Sequence, residues 1–305
     1  MNNGTRAAIL AISIIIPLSV VVLWFSENNS VTGFAEKRQL KVLVSFYPLY
    51  EFTKIIGGER IDVSTIIPSG MEPHDWEPTI QDLQKMHNAD MVVINGAGLE
   101  PWIAKLISVN PDILILDTSD GIPLIEKDKP MFNNKIQNDP HIWLDPVLAK
   151  KQIKNIANGL IKIDPQNTDY YQENANTYND KLILLDNKIR NELSDCVKKD
   201  FLAFHDAFSY FANEYDLNQN TIIGVNPSEE PTAIKLQQII QKAQDLDIHV
   251  IFTEEAVNPR VSEVIADEIG AKVLTLSPIE IYEKNSDYIK RMEQNLSNLK
   301  EELCS

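Results

Sequence analysis

Residues 64–86, STIIPSGMEPHDWEPTIQDLQKM, have a counterpart later in the chain, residues 220–240, NTIIGVNPSEEPTAIKLQQII. Each segment begins with a β-rich run and leads through an acidic, proline-containing loop into a stretch with helical spacing. A second similar pair lies just before them: VLVSFYPLYEF begins at Val42, and KDFLAFHDAFSYF begins at Lys199. The sequence therefore indicates an internal duplication and predicts two similar α/β lobes.

Strand and helix signals alternate along the rest of the chain. Helices are predicted before Gly57-Gly58, after a cap at Thr79, over 99–109 and after 139–146. Residues 118–138 show no periodicity and are predicted to form a loop. Alternating strands and helices are typical of α/β folds with mostly parallel sheets. The predicted strands are 41–45, 61–67, 91–95, 113–117, 201–204, 222–225, 249–253 and 272–276.

One helical stretch, about 168–195, has no Gly or Pro and is too long for a routine crossover connection. It is predicted to join the two lobes as a rigid helix, so lobe movement on ligand binding should be small. The predicted organisation is an N-terminal segment (1–35), a first lobe (36–165), the linking helix (166–196) and a second lobe (197–305). Ligands of parallel α/β sheets bind beyond the carboxyl ends of the strands, which places the site between the lobes.

The first residues differ in character from the rest of the chain. Residues 7–25 contain no charge and would span roughly 28 Å as a helix, close to the thickness of a bilayer core. Arg6 precedes this run, so a membrane anchor with the lobes on the outer face is predicted. The alternative is a signal peptide cleaved near Ala35, which would give a secreted or periplasmic protein. No cysteine lies directly after the apolar run, which argues against a lipidated N-terminus.

The composition excludes some partners. A formal net charge of −16 with a pI near 4.7 argues against a nucleic-acid surface, which needs clustered Lys and Arg. The cysteines are Cys196 and Cys304. An oxidising exterior would allow them to form a disulfide, and two unpaired thiols are the alternative.

The histidines fall into two groups. His87 in a predicted helix and His249 at the start of a strand are expected to be structural. The other three lie in loops spread over both lobes, and imidazole is the commonest zinc ligand. A metal site is therefore a hypothesis for His74, His141 and His205, against the alternative that each is an ordinary loop residue.

The motifs GMEPHDWEPT, DPHIWLDP and FHDAFSYF, in this order on either side of a long helix, resemble the zinc and manganese solute-binding proteins that feed ABC importers. NGAGLEPW, PSEEPT and KVLTLSPIE are further matches, and the likeness extends from about Lys41 to Leu303. The resemblance implies that His74, His141 and His205 are metal ligands. It also implies an ABC permease as partner, and we expect a monomer.

A carboxylate from the loop after the last strand supplies the fourth ligand in this family. Some members have an Asp at the start of this loop, where this chain has Ser277, and others have a Glu that matches Glu280. We predict Glu280, with water or Asp75 as the alternatives. Three imidazoles and one carboxylate favour Zn(II) over Mn(II), which prefers oxygen ligands. The acids Asp139, Asp145 and Asp206 are candidates for orienting the imidazoles.

The predicted function is zinc capture outside the cytoplasm and delivery to a permease. A surface adhesion or interaction module is one alternative, because some relatives are thought to have this role. An extracytoplasmic zinc hydrolase is another, since three histidines plus water form a catalytic zinc arrangement. The chain has no H-E-x-x-H, P-loop or G-x-S-x-G motif, and ligation by Glu280 would close the open position that catalysis needs. We therefore predict that it is not an enzyme.

Overall fold

A parallel sheet forms the centre of the first half of the chain. Its strands lie in the spatial order β2-β1-β3-β4, so β1 is an inner strand and the direction in which strands are added reverses once, between β2 and β3. The computed structural model describes residues 39–127, 137–228, 230–255 and 257–305. The strands are β1 (Leu40–Val44), β2 (Ile61–Thr65), β3 (Met91–Ile94) and β4 (Ile115–Asp117), and the helices that connect them are α1 (Tyr47–Gly57), α2 (Ile80–His87) and α3 (Ile103–Val109).

The second sheet repeats this topology, as the predicted duplication requires. Its strands are also parallel and lie in the order β8-β7-β9-β10, which is the order of the first sheet with each strand replaced by its counterpart. They are β7 (Asp200–Ala203), β8 (Asn218–Thr221), β9 (Val250–Thr253) and β10 (Lys272–Thr275), with α6 (Ser209–Glu214), α7 (Ala233–Asp245) and α8 (Arg260–Ile269) between them.

Three longer helices connect and cover the sheets: α4 (Pro146–Ile163), α5 (Thr168–Leu193) and α9 (Tyr288–Leu303). The long helix α5 has its buried residues at helical spacing, as the sequence predicted. One apolar core includes residues of both sheets and of all three helices. The ring of Phe52 on α1 lies 5.9 Å from that of Tyr178 on α5 and 5.1 Å from that of Tyr288 on α9. Both halves of the chain therefore pack on the same linking helix.

Local signals at several element ends match the sequence. Gly58 follows α1 with a positive φ of 52°, and an added Cβ there would collide with the Tyr170 hydroxyl. Thr79 caps α2 by accepting a hydrogen bond from the backbone N–H of Asp82, whose side chain accepts from the Thr79 N–H in return. Cys196 and Cys304 form a disulfide that joins the segment after α5 to the end of α9.

Three predictions of local structure were wrong. The strand predicted at 222–225 is Asn218–Thr221, because Ile222 and Ile223 instead turn inward and donate their N–H groups to the carbonyl of Phe204. The helix predicted from 99 begins at Ile103, since Pro101 and the preceding turn delay it. The loop 118–138 contains a short antiparallel pair, β5 (Glu126–Lys127) with β6 (Gln137–Asn138).

The predicted membrane anchor at 7–25 lies outside the described residues. In the part of the chain that the structure describes, no helix is long and apolar enough to span a bilayer.

Candidate metal centre

His74, His205 and Glu280 of the candidate site lie in loops that follow parallel strands, whereas His141 lies just after the antiparallel pair β5–β6. His74 belongs to a one-turn 3-10 helix, Pro73–Asp75, in the loop after β2. Pro73 fixes the first turn of this element, and the carboxylate of Glu72 accepts the His74 N–H at 3.1 Å. The loop therefore fixes the backbone of His74, whose Nε2 lies 3.1 Å from that of His141.

The other two histidines are each held by a carboxylate that bonds the backbone and the ring together. Asp139 Oδ1 accepts the N–H of His141 at 3.0 Å and lies 2.8 Å from its Nδ1. Glu254 Oε1 accepts the N–H of His205 at 3.2 Å and lies 2.6 Å from its Nδ1. A carboxylate at Nδ1 makes this nitrogen the donor, which leaves the lone pair of Nε2 available for a metal. Both imidazoles are fully buried.

Glu280 lies in a strained loop after β10. The preceding residue, Ile279, has φ of 59°, a conformation that is unfavourable for a β-branched side chain. Two buried donors hold the loop in this shape: Trp143 Nε1 binds the Pro278 carbonyl at 2.8 Å, and Arg291 binds Ser277 Oγ and the Ile281 carbonyl, both at 2.6 Å. Hydrogen bonds from neighbouring elements therefore hold the loop in its strained conformation, in which Glu280 is buried.

The structure brings all four predicted residues together. His141 Nε2 lies 3.1 Å from His74 Nε2 and 3.2 Å from His205 Nε2. Glu280 Oε1 lies 3.6 Å from the Nε2 atoms of His74 and His141 and 4.0 Å from that of His205. With Zn–N bonds of about 2.0–2.1 Å, the ligand atoms of a tetrahedral zinc ion are roughly 3.3–3.4 Å apart. The spacing of the four atoms thus suits one tetrahedral ion.

The polar atoms of the cluster also fit a cation. Glu280 Oε1 is buried and has no hydrogen-bond partner among the described residues, which is unfavourable for a carboxylate unless a cation binds it. The soft-to-borderline imidazole set with one carboxylate suits Zn(II) better than Mn(II).

Burial and charge set the pKa values in opposite directions around the cluster. Burial lowers the pKa of His74. Burial also opposes protonation of His141, but the charge and hydrogen bond of Asp139 outweigh it and raise the pKa of His141 to about 9. Burial disfavours the charged form of Glu280, yet the neighbouring imidazoles of His141 and His74 keep its pKa well below the ordinary value. At neutral pH these shifts favour an ionised Glu280 beside a protonated His141 in the metal-free cluster.

Zinc binding is expected to release protons. A metal needs the neutral imidazole, and His141 with a pKa of about 9 carries a proton at pH 7 in the metal-free form. Below pH 9 the ion must displace this proton, so zinc affinity should fall about tenfold for each unit of decreasing pH per proton displaced. Calorimetric titrations in buffers of different ionisation enthalpy count the protons. Release of fewer than half a proton at pH 7.5 would contradict the assignment.

The remaining sequence candidates lie elsewhere. His87 is exposed at the end of α2, and His249 packs beside Lys198 with its side chain 53% exposed. Asp75 accepts a hydrogen bond from Asn226 and is not part of the cluster. Of the acids expected to orient imidazoles, Asp139 does so. Asp145 instead caps α4 by accepting the Val147 N–H, and Asp206 binds Lys127, so these two predictions were wrong.

Sequence reasoning missed Glu254. The available signal was its place directly after β9, which pairs with β7, because residues that follow neighbouring parallel strands meet at one edge of the sheet. The ring of Trp143 packs against the cluster, with its centroid 5.2 Å from that of His141, and Trp76 packs on Trp102 at 5.4 Å.

Glu254→Gln should weaken zinc binding by about 10- to 100-fold, the range for residues that orient a metal ligand. The amide keeps the size of the side chain but loses the charge that holds His205 Nδ1. Competition with a chromophoric chelator measures the change. Glu301→Gln is the control, since Glu301 is 56% exposed, pairs with Lys272 at the surface and is not in the cluster. Equal affinities of the two variants would show that Glu254 does not act on the metal.

A two-lobed α/β fold with a buried cluster of three imidazoles and one carboxylate between the lobes defines a class: metal-binding proteins of the solute-binding type. The family is more specific. The chain belongs to the family described as "Zinc-uptake complex component A periplasmic", whose model matches residues 42–302.

Relatives and solved structures agree with this. The high-affinity zinc uptake system protein ZnuA of Bacillus subtilis is 38% identical over 293 residues, which cover 90% of this chain and 92% of that protein. The Zn(II)-bound ZnuA-like domain of AdcA from Streptococcus pneumoniae has a TM-score of 0.77 at 30% identity and covers 88% of this chain and 100% of that one. The match confirms the two-lobe α/β prediction.

A third relative has a broader description. The laminin-binding protein Lmb of Streptococcus agalactiae is described as bifunctional, with adhesin and metal transporting activity. Its structure has a TM-score of 0.79 at 32% identity, and the match covers 87% of this chain and 99% of that one. Some relatives are longer: the chain spans 61% of the length of the zinc-binding protein AdcA of Streptococcus pyogenes, to which it is 32% identical.

Proposed function

We propose that this protein is the extracytoplasmic zinc-binding component of an ABC metal importer, and that it captures Zn(II) between its lobes and delivers it to the permease. The observation that carries the proposal is that His74, His141, His205 and Glu280 each offer one ligand atom, and these four atoms lie within 4.8 Å of one another. In this proposal these four residues are the ligands. Zinc is the cargo, so the site must bind it tightly and also release it.

The metal is proposed to be zinc because of the donor set. Manganese prefers oxygen ligands and would find one carboxylate among three imidazoles. Copper would bind as well by intrinsic affinity, so the supply of metal also contributes to selection. Membership of a zinc-uptake family supports the same choice.

The site is proposed to be non-catalytic. A hydrolytic zinc site keeps one coordination position for water. Here Glu280 Oε1 lies within 4.0 Å of all three Nε2 atoms, which supports a carboxylate in that position. An adhesive role in addition to transport is a second candidate, and the description of Lmb as both adhesin and metal transporter favours it.

The lobes are proposed to lie outside the cytoplasm, anchored through the N-terminal segment or released from it. The disulfide supports this location, because such bonds persist in oxidising compartments. The domain boundaries 1–35, 36–165, 166–196 and 197–305 remain our proposal. Since α5 packs against helices of both halves, release is proposed to occur by small loop shifts near His205 and Glu280.

Uptake of radiolabelled zinc tests the function. Cells that lack this protein should take up less zinc under limitation, and the wild-type gene should restore uptake, whereas a Glu280→Ala gene should restore little of it. Matched amounts of each protein at the cell surface serve as the control. Full uptake with the Glu280→Ala variant, or no dependence on the protein, would refute the proposal.

A further inference from the structure

Lys127 lies at the end of β5, in the loop between Thr118 and Asn138, and its ammonium group is largely buried. The side chain is 16% exposed, and Nζ lies 2.7 Å from Asp206 Oδ1, 3.1 Å from Asp139 Oδ2 and 2.5 Å from Ser209 Oγ. The contacts with Asp206 and Ser209 are hydrogen bonds, whereas the contact with Asp139 is an ion pair in which Oδ2 accepts no hydrogen bond. One cation therefore contacts two carboxylates and a hydroxyl at once.

The two carboxylates come from different halves of the molecule. Asp139 precedes His141 in the first half, and its other oxygen holds His141 Nδ1. Asp206 directly follows His205 in the second half. Lys127 thus connects the loop that carries one candidate ligand to the loop that carries another.

Further hydrogen bonds lie on both sides of this junction. Asp206 Oδ1 also accepts hydrogen bonds from Ser209 Oγ at 2.9 Å and from Gln219 Nε2 at 3.0 Å. On the other side, the hydroxyl of Tyr210 donates to the Asp139 carbonyl at 2.8 Å and accepts the Ile125 N–H at 3.0 Å. The first residues of α6, Ser209 and Tyr210, therefore bind the same short β5–β6 pair to which Lys127 belongs.

We propose that Lys127, Asp139 and Asp206 form a lobe latch that holds the His141 and His205 loops together and slows the release of zinc. Lys127 acts through the two carboxylates and does not touch the metal, so it is a positioning residue. The inference rests on the proposed function, because the latch has meaning only if zinc binds between the two loops.

The burial of Asp139 explains why the latch should matter. Its side chain is fully buried, so a carboxylate oxygen left without a cation is unfavourable. When Lys127 is removed, Asp139 can lower its energy by moving toward water, and His141 would move with it. The second carboxylate, Asp206, is 25% exposed and would lose its link to the first half of the chain.

The test is the rate of zinc release from the zinc-loaded full chain into excess chelator, followed by stopped flow. Lys127→Met and Asp206→Asn should each raise the dissociation rate constant about tenfold, since loss of one partner of a buried charge pair acts mainly on dissociation. The double variant should be no faster than the faster single variant, and Lys127→Arg should restore a slower rate. Lys188→Met is the control because it breaks an exposed pair with Glu293.

The outcomes separate the latch from the metal site. If wild type releases zinc slowly and neither variant changes the rate more than twofold, the latch is refuted while the proposed function stands. If only Lys127→Met accelerates release, the connection between the halves is refuted. If wild type holds no zinc, the proposed function itself fails. Should Lys127→Met not fold, Asp206→Asn decides, because its partly exposed side chain tolerates the amide.

Discussion

His141→Ala is expected to weaken zinc binding by about 10²- to 10³-fold. A protein zinc site with four ligands contributes roughly 10–16 kcal/mol, so one ligand accounts for about 2.5–4 kcal/mol of binding free energy. His141 should be at the upper end of this range. Its Nε2 lies 3.1 and 3.2 Å from the other two Nε2 atoms, and the ring is fully buried.

A water molecule should not restore the zinc affinity that the His141→Ala variant loses. A water molecule that replaced the ring would sit beside Asp139, which is buried and would then lose its imidazole partner. Competition titration with a chromophoric chelator gives the affinity, and thermal unfolding of the metal-free proteins shows how much stability is lost separately. His87→Ala is the matched control, since His87 is exposed and outside the cluster. An affinity within fivefold of wild type would contradict the role of His141.

Removing the disulfide is expected to lower the free energy of unfolding by about 4–5 kcal/mol. Cys196 and Cys304 are 108 residues apart, and closing a loop of this length restricts the unfolded chain strongly on the chain-entropy model. The bond also ties the end of α5 to the end of α9, two helices that form part of the core shared by both halves.

The measurement is denaturant unfolding of the metal-free Cys196→Ser, Cys304→Ser double variant beside wild type with and without reductant. The metal-free form is needed because bound zinc would add its own stabilisation. Reduced wild type should resemble the variant. A difference below about 1 kcal/mol would show that the bond restricts the unfolded chain far less than its loop length implies.

The sequence itself singled out His74, His141 and His205, because they lie in proline-braced or acidic loops beside predicted strands. The resemblance to the solute-binding family implied that they are ligands and supplied Glu280 as the fourth. The parallel α/β pattern then places such loops at one edge of each sheet. The duplication could also be predicted, because residues 64–86 resemble residues 220–240. Both sheets indeed use the same strand order.

Features that depend on long-range contacts could not be predicted this way. Glu254 and Lys127 act on residues far along the chain, and nothing in their local sequence identifies those partners. Edge strand β8 was misplaced because its residues, Asn218–Thr221, are polar, whereas the apolar Ile222 and Ile223 beyond it turn into the core. The hydrophobic pattern reports burial, and here burial and strand formation belong to adjacent residues.

The most direct test of the central claim is a crystal structure of the zinc-loaded protein with anomalous data recorded at the zinc edge. One anomalous peak is predicted, bonded at about 2.0–2.2 Å to the Nε2 atoms of His74, His141 and His205 and to Oε1 of Glu280. A zinc ion bound elsewhere, or bound to the histidines with water in place of Glu280, would contradict the closed site on which the proposal of capture and transport depends.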